Sequence, residues 1–158
     1  MYDLLKLKLF CACLVILFVS CDQDVAYEEN IAIPDGKWNR HNIAEFRTEI
    51  GDTLQPYNVY INVRNTGKYP KSNLYLFVTT TAPGGAYMRD TVECILADPS
   101  GQWRGKGFGS VWQNRFPYRK HVRFAEEGIY KIEVEQAMRL EDLPGIKDVG
   151  IRIEKVTD

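Results

Sequence analysis

The sequence predicts an all-β protein: a two-sheet antiparallel β-sandwich, jelly-roll or immunoglobulin-like, behind an N-terminal lipoprotein signal. Three observations predict it. Apolar residues recur at every second position in several short segments, the period of a half-buried strand. Clusters rich in Gly and Pro separate those segments. An apolar run near the start ends in a cysteine. About eight short strands joined by tight turns have to pair face to face to bury their apolar sides.

The leader comes first. Lys6 and Lys8 precede an apolar run at 9–19, LFCACLVILFV. A bilayer span needs roughly 20 residues, so this run fits the apolar region of an export signal instead. It closes on Phe18-Val19-Ser20-Cys21, the pattern in which the cysteine receives a diacylglycerol and the signal, residues 1–20, is cut away. Further acyl chains such as palmitate on the new amine would make the anchoring stable. Cys11 and Cys13 leave with the signal and Cys21 carries lipid. Cys94 is then the one cysteine of the folded part, between Val92 and Leu96 on one strand face, and reads as a buried thiol. Residues 21–30, acidic at Asp22, Asp24, Glu28 and Glu29, read as the lipidated N-terminus and a tether, followed by a single domain at 31–158.

Along that domain a first strand is expected near 31–34 and a helical turn at 42–46. Tyr57, Val59, Ile61 and Val63 alternate with Asn58, Tyr60, Asn62 and Arg64. Residues 74–81 are more continuously apolar and suit a central strand. Val92, Cys94 and Leu96 form a further alternating set; 103–111 and 121–124 are expected strands. Glu126-Glu127-Gly128-Ile129-Tyr130 resembles the acidic-x-Gly-x-Tyr corner of sandwich folds, where a tyrosine hydroxyl bonds back to nearby backbone. Tyr130, Ile132 and Val134, then Val149, Ile151 and Ile153, complete the strands, with a second helical turn expected at 139–143. Turns fall at Asn65-Thr66-Gly67, Pro83-Gly84-Gly85, Asp98-Pro99-Ser100-Gly101 and Pro144-Gly145, where Gly and Pro favour chain reversal.

Composition narrows the function. Removing the first 20 of the 158 residues leaves 138, a one-domain length. With 45% hydrophobic and 26% charged residues the chain is of ordinary globular type rather than disordered or collagenous. A net charge of −1 argues against a nucleic-acid partner. His41 and His121 lie far apart in sequence, so no metal site is expected. Arg104-Gly105-Lys106-Gly107-Phe108-Gly109 lacks the βαβ setting of a phosphate loop, and its glycines read as room for a bulge or for packing of Trp103 with Trp112. Asp90 could face Asp98, but sequence does not pair carboxylates. Glu141 and Asp142 read as a solvated turn. No Gly-x-Ser-x-Gly elbow occurs. No catalytic residues and no cofactor beyond the lipid on Cys21 are expected, so the chain reads as a non-enzyme.

One charge feature stands apart. Residues 103–123 hold six cations and no acid, interleaved with Trp103, Phe108, Trp112, Phe116 and Tyr118. Residues 22–55 hold eight acids against three cations. The two regions can neutralise each other inside the domain, through Glu28, Glu29 or Asp35, or the basic stretch can hold a face for an acidic partner. Trp103, Arg104, Lys106, Trp112, Arg115, Tyr118, Arg119 and Arg123 are the candidate partner-binding face. Alternation places Arg119, His121 and Arg123 together.

The pattern as a whole resembles a known family. It runs through Tyr27, Trp38 and Phe46, Asp52-Thr53, Tyr57, Arg64-Asn65, Tyr69-Pro70, Asn73-Leu74, Asp90-Thr91, Leu96 and Gly101. It continues through Trp103-Arg104-Gly105, Gly128-Ile129-Tyr130, Gln136-Ala137-Met138-Arg139, Leu143-Pro144-Gly145-Ile146 and Asp148-Val149-Gly150. In order and spacing this resembles the gliding motility lipoprotein GldH family, over nearly the whole chain. The resemblance implies a non-catalytic, membrane-anchored envelope lipoprotein, a structural or assembly subunit of the gliding machinery. Its expected partners are the membrane, through the lipid anchor, and other envelope proteins of that machinery. Its expected place is the outer membrane, on a face the sequence leaves open. A different reading is a surface glycan-binding module that stacks sugars on Trp103, Trp112 and Tyr118.

Overall fold

A computed structural model describes residues 24–157, and the expected leader at 1–20 and the expected lipid-attachment residue Cys21 lie outside the described residues. Eleven strands follow in order: β1 (Val25–Ala32), β2 (Lys37–Asn39), β3 (Ala44–Ile50), β4 (Tyr57–Thr66), β5 (Asn73–Thr81), β6 (Tyr87–Ile95), β7 (Lys106–Phe108), β8 (Val111–Val122), β9 (Gly128–Gln136), β10 (Asp142–Pro144) and β11 (Ile146–Lys155). They build a five-stranded sheet, β1-β11-β4-β8-β7, a four-stranded sheet, β3-β9-β5-β6, and a ribbon of β10 with β2. Every pairing is antiparallel.

The pairing settles which sandwich this is. Of the eight long strands, the first pairs with the last (β1 with β11), the second with the seventh (β3 with β9), the third with the sixth (β4 with β8) and the fourth with the fifth (β5 with β6). Nested pairing of this kind is one long hairpin rolled over itself, a jelly roll. The immunoglobulin-like alternative is set aside.

The alternating segments behave as their period requires. Along β3 the pattern is strictly buried and exposed in turn, from Ala44 to Ile50. Ile61 and Val63 on β4, Leu74, Leu76 and Val78 on β5, and Ile151 and Ile153 on β11 meet in one core with no exposure. Each such side chain contributes roughly 1.5–3 kcal/mol by leaving water. The β2–β10 ribbon carries Trp38 and Leu143, both fully buried, over one end of the sandwich. The Trp38 indole donates to the Asn42 carbonyl at 2.8 Å. The expected corner forms, with the Tyr130 hydroxyl accepting the Glu126 N–H at 3.0 Å.

Four expectations change. Residues 25–30 are not tether: they belong to β1, which pairs with β11 from Val25 onward, so an acidic segment serves as an edge strand. The expected helical turns at 42–46 and 139–143 are replaced by the start of β3 and by β10, because Ala44, Phe46 and Leu143 gain more from the core than from a short helix. Residues 103–111 give an isolated bridge from Trp103 to Ala97, the three-residue β7 and only the first residue of β8. Finally, β8 runs for twelve residues, most of them between the expected strands at 103–111 and 121–124.

Alternation fails along β8 for a visible reason. Its register against β4 steps from Val122 opposite Tyr57 to Arg119 opposite Val59 and Pro117 opposite Tyr60, one extra β8 residue each time. Such bulges bend a strand and re-aim its side chains. Pro117, which has no N–H for a ladder, sits at one of them. His121, at φ 52°, adopts a left-handed conformation and its N–H donates to the Asn58 side chain at 3.0 Å. Arg119, His121 and Arg123 therefore do not share one regular strand face.

Candidate functional site

The basic stretch divides among three places along β8. At the end capped by the ribbon, Trp103 and Trp112 pack with ring centroids 5.5 Å apart and planes tilted by 35°. Gly107 makes this possible, since a Cβ there would lie 3.0 Å from Trp112 Nε1. Both indoles are half-buried. They spend a face on each other and offer no flat pair of exposed rings. Arg104 and Lys106 are exposed beside them, and the Arg104 N–H closes the loop onto the Leu96 carbonyl at 2.9 Å.

On the outward face of the five-stranded sheet Arg115 enters a polar network. Its Nε donates to Asn62 Oδ1 at 3.2 Å, and its guanidinium lies 3.5 Å from Glu28 and 3.7 Å from Glu154. Arg152 bonds both of those acids. Asn62 Nδ2 also donates to Glu28 at 2.9 Å. Strands β1, β11, β4 and β8 are thus linked by side chains as well as by their ladders. Further along the face Arg64 Nε donates to the buried Asp148 at 2.6 Å, and this bond holds the Arg64 guanidinium above its ordinary pKa.

At the other end Tyr118 and Arg119 converge on Asp90 of β6. The Tyr118 hydroxyl donates to Asp90 Oδ2 at 2.5 Å and Arg119 Nη2 donates to the same oxygen at 2.7 Å. Burial, then the Asp90 bond, pushes the Tyr118 phenol up to about 12. Arg119 Nε is buried with no partner. Arg123 Nε donates to the Leu54 carbonyl at 3.0 Å.

The eight candidate residues therefore do not form one continuous face: Arg115 points outward, while Trp112 and Tyr118 lie on the half-buried side. Of the compensating acids expected early in the chain, Glu28 serves Arg115, whereas Glu29 accepts from Tyr27. Sequence reasoning missed Asp90 and Glu154 as counter-charges, and Arg152 as a second cation on the same acids. Asp90 and Asp98 do not meet; Asp98 caps its own turn through Ser100 and Gln102. Asp142 accepts from Asn39 at 2.8 Å. His41 and His121 are exposed, and Cys94 is a free, buried thiol pushed up to about 12 by burial and then by the Glu93 charge.

Fold and site together define a jelly-roll domain whose basic stretch is built largely into ties between strands and between sheets. The chain belongs to the GldH lipoprotein family, whose model matches residues 25–153. It is 38% identical over 148 residues to "Gliding motility lipoprotein GldH homolog" from Christiangramia forsetii, covering 89% of this chain and 90% of that one. It is 33% identical over 147 residues to "Gliding motility lipoprotein GldH" from Flavobacterium johnsoniae, covering 89% and 91%.

Proposed function

We propose that this chain is a non-catalytic lipoprotein of the cell envelope, held in the outer membrane by lipid on Cys21. It serves as a structural or assembly subunit of the gliding machinery. The observation that carries this reading is the family match across 25–153, which begins four residues after a cysteine set for lipidation. Two relatives aligned over most of their length carry gliding motility lipoprotein in their names. None of the helices in the described residues is long and apolar enough to cross a membrane, so the anchor in this reading is the lipid. The glycan-binding reading loses its support in the Trp103–Trp112 pair, because those rings face each other.

The test is affinity purification of the native lipoprotein from solubilised membranes, with identification of the proteins that accompany it. Envelope proteins of the gliding machinery should be recovered with the wild type and lost with Cys21→Ala. Recovery of the wild type alone would overturn the assembly role.

A further inference from the structure

The two ends of the sandwich differ in kind. One is closed by Trp38 and Leu143 of the ribbon. The other is where β1, β4, β6 and β9 begin and β5, β8 and β11 end, as the pairings of Val25 with Glu154, Lys155 with Tyr57, Tyr57 with Val122, and Thr81 with Tyr87 and Lys131 require. At this second end the sheets part around a cavity of about 480 Å³. The volume is in the range of small-molecule sites, about 300–1,000 Å³. The two extra residues of β8 bend that strand beside it.

The chemistry of the cavity is one-sided. Its walls are mostly apolar, with Val59, Val122, Phe124 and Ile132 among them, and Arg119 and Arg123 also line it. Two acids nearby are occupied: Asp90 by Tyr118 and Arg119, and Glu126 by the Gly84 N–H at 2.8 Å. What remains unspent is a donor, the buried Arg119 Nε. Arg123 makes no ion pair among the described residues; its partner is a carbonyl. An apolar hollow with spare cationic donors matches a molecule with an apolar body and an anionic head.

The position of the cavity suggests where such a molecule comes from. The described chain enters at this end, with the Asp24 carbonyl bonded to the Lys155 N–H at 2.7 Å. Four residue steps separate Cys21 from Val25, a reach of at most about 14 Å. Leu54 and Tyr87, 80% and 76% exposed, stand at this end with Met88 and Ile129. Exposed apolar side chains beside arginines suit the boundary between water and a lipid leaflet.

We propose that this cavity binds an acyl chain carrying an anionic head group, drawn from the leaflet the protein is anchored in, with the head group on Arg119 and Arg123. The leaflet source rests on the lipoprotein reading above; the chemistry of the cavity does not.

The test uses a form lacking residues 1–20 and carrying Cys21→Ser. Every strand pairing lies within 25–155, so its sheets and core are retained. Dansyl-undecanoate should give a saturable fluorescence rise. Ala86→Trp and Ala125→Trp, at exposed positions on the cavity wall, should each weaken binding about tenfold while the melting temperature stays within about 2 °C. Arg123→Gln should weaken it about fivefold. Vesicles of phosphatidylglycerol should displace the probe, and vesicles of phosphatidylcholine should displace much less. No saturable rise, or unchanged affinity in both tryptophan variants, would overturn the site. Displacement by free oleate but by neither vesicle would overturn the leaflet source. This form bears no lipid, so failure here is separate from failure to label Cys21.

Discussion

Arg119 Nη2 donates to Asp90 Oδ2 at 2.7 Å, and this pair ties β8 of the five-stranded sheet to β6 at the edge of the four-stranded one. Tyr118 shares the acceptor, so one carboxylate oxygen receives two donors from adjacent residues of a bulged strand. The strand reached is not a ladder neighbour of β8. The tie therefore acts across the sandwich, where backbone hydrogen bonds do not reach.

Removing Asp90 should be felt more than removing either donor. Asp90→Ala leaves a phenol and a guanidinium without their acceptor, and the orphaned groups cost about 1–3 kcal/mol. Both partners of the ion pair are partly exposed, at 38% and 28% of their side chains, so the lower half of that range is expected. Urea titration checks this. Tyr118→Phe should cost about 1 kcal/mol, and less than its single-variant value in the Asp90→Ala background.

The Cys94 thiol should be inert until the domain opens. It is fully buried and pushed up to about 12, so thiolate is scarce near neutrality. Alkylation by iodoacetamide at pH 8 should follow unfolding, and denaturant should raise its rate sharply. Fast labelling of the native domain would contradict the burial.

Alkaline pH should destabilise the domain. The folded pKa of Cys94 and of Tyr118 lies above the ordinary value, each about 12. The native state then holds protons that the unfolded state releases, and stability is full below the unfolded values, near 9 and 10. It falls as pH rises from there toward 12, by up to about 1.4 kcal/mol per unit for each group. Denaturation midpoints between pH 8 and pH 11 measure it, and a flat profile would contradict the shifts.

Gly145 should tolerate no side chain. Its φ is +88°, and a Cβ would lie 2.3 Å from the Tyr69 N. The glycine also bridges two turns, its N–H donating to the Gly36 carbonyl and its carbonyl accepting from Thr66 N–H, both at 2.8 Å. Gly145→Ala should cost roughly 2–4 kcal/mol, read from the melting temperature and the urea midpoint.

The strands with clean alternation were legible because burying one face of a sheet demands period two. Tyr57 to Val63 and Tyr130 to Val134 lie where that period places them, and the Tyr130 corner closed as its motif implies. Two kinds of feature were hidden. β1 was hidden because an edge strand can leave both Glu28 and Glu29 exposed, so its acidity resembled that of a tether. β8 was hidden because its bulges at Pro117 and His121 erase the period. The sequence showed that cations gather between 103 and 123, but the acids that answer them, Asp90 and Glu154, lie on other strands. Such pairings belong to topology, and composition does not reveal them. The nested strand order likewise needed the pairings themselves.

Metabolic labelling with a palmitate analogue followed by membrane fractionation tests the lipid anchor most directly. The wild-type chain should take up label, lose its first 20 residues and sediment with membranes; Cys21→Ala should take up none and persist as the longer precursor. A wild-type chain without label, or equal labelling of wild type and Cys21→Ala, would rule out a lipid anchor on Cys21.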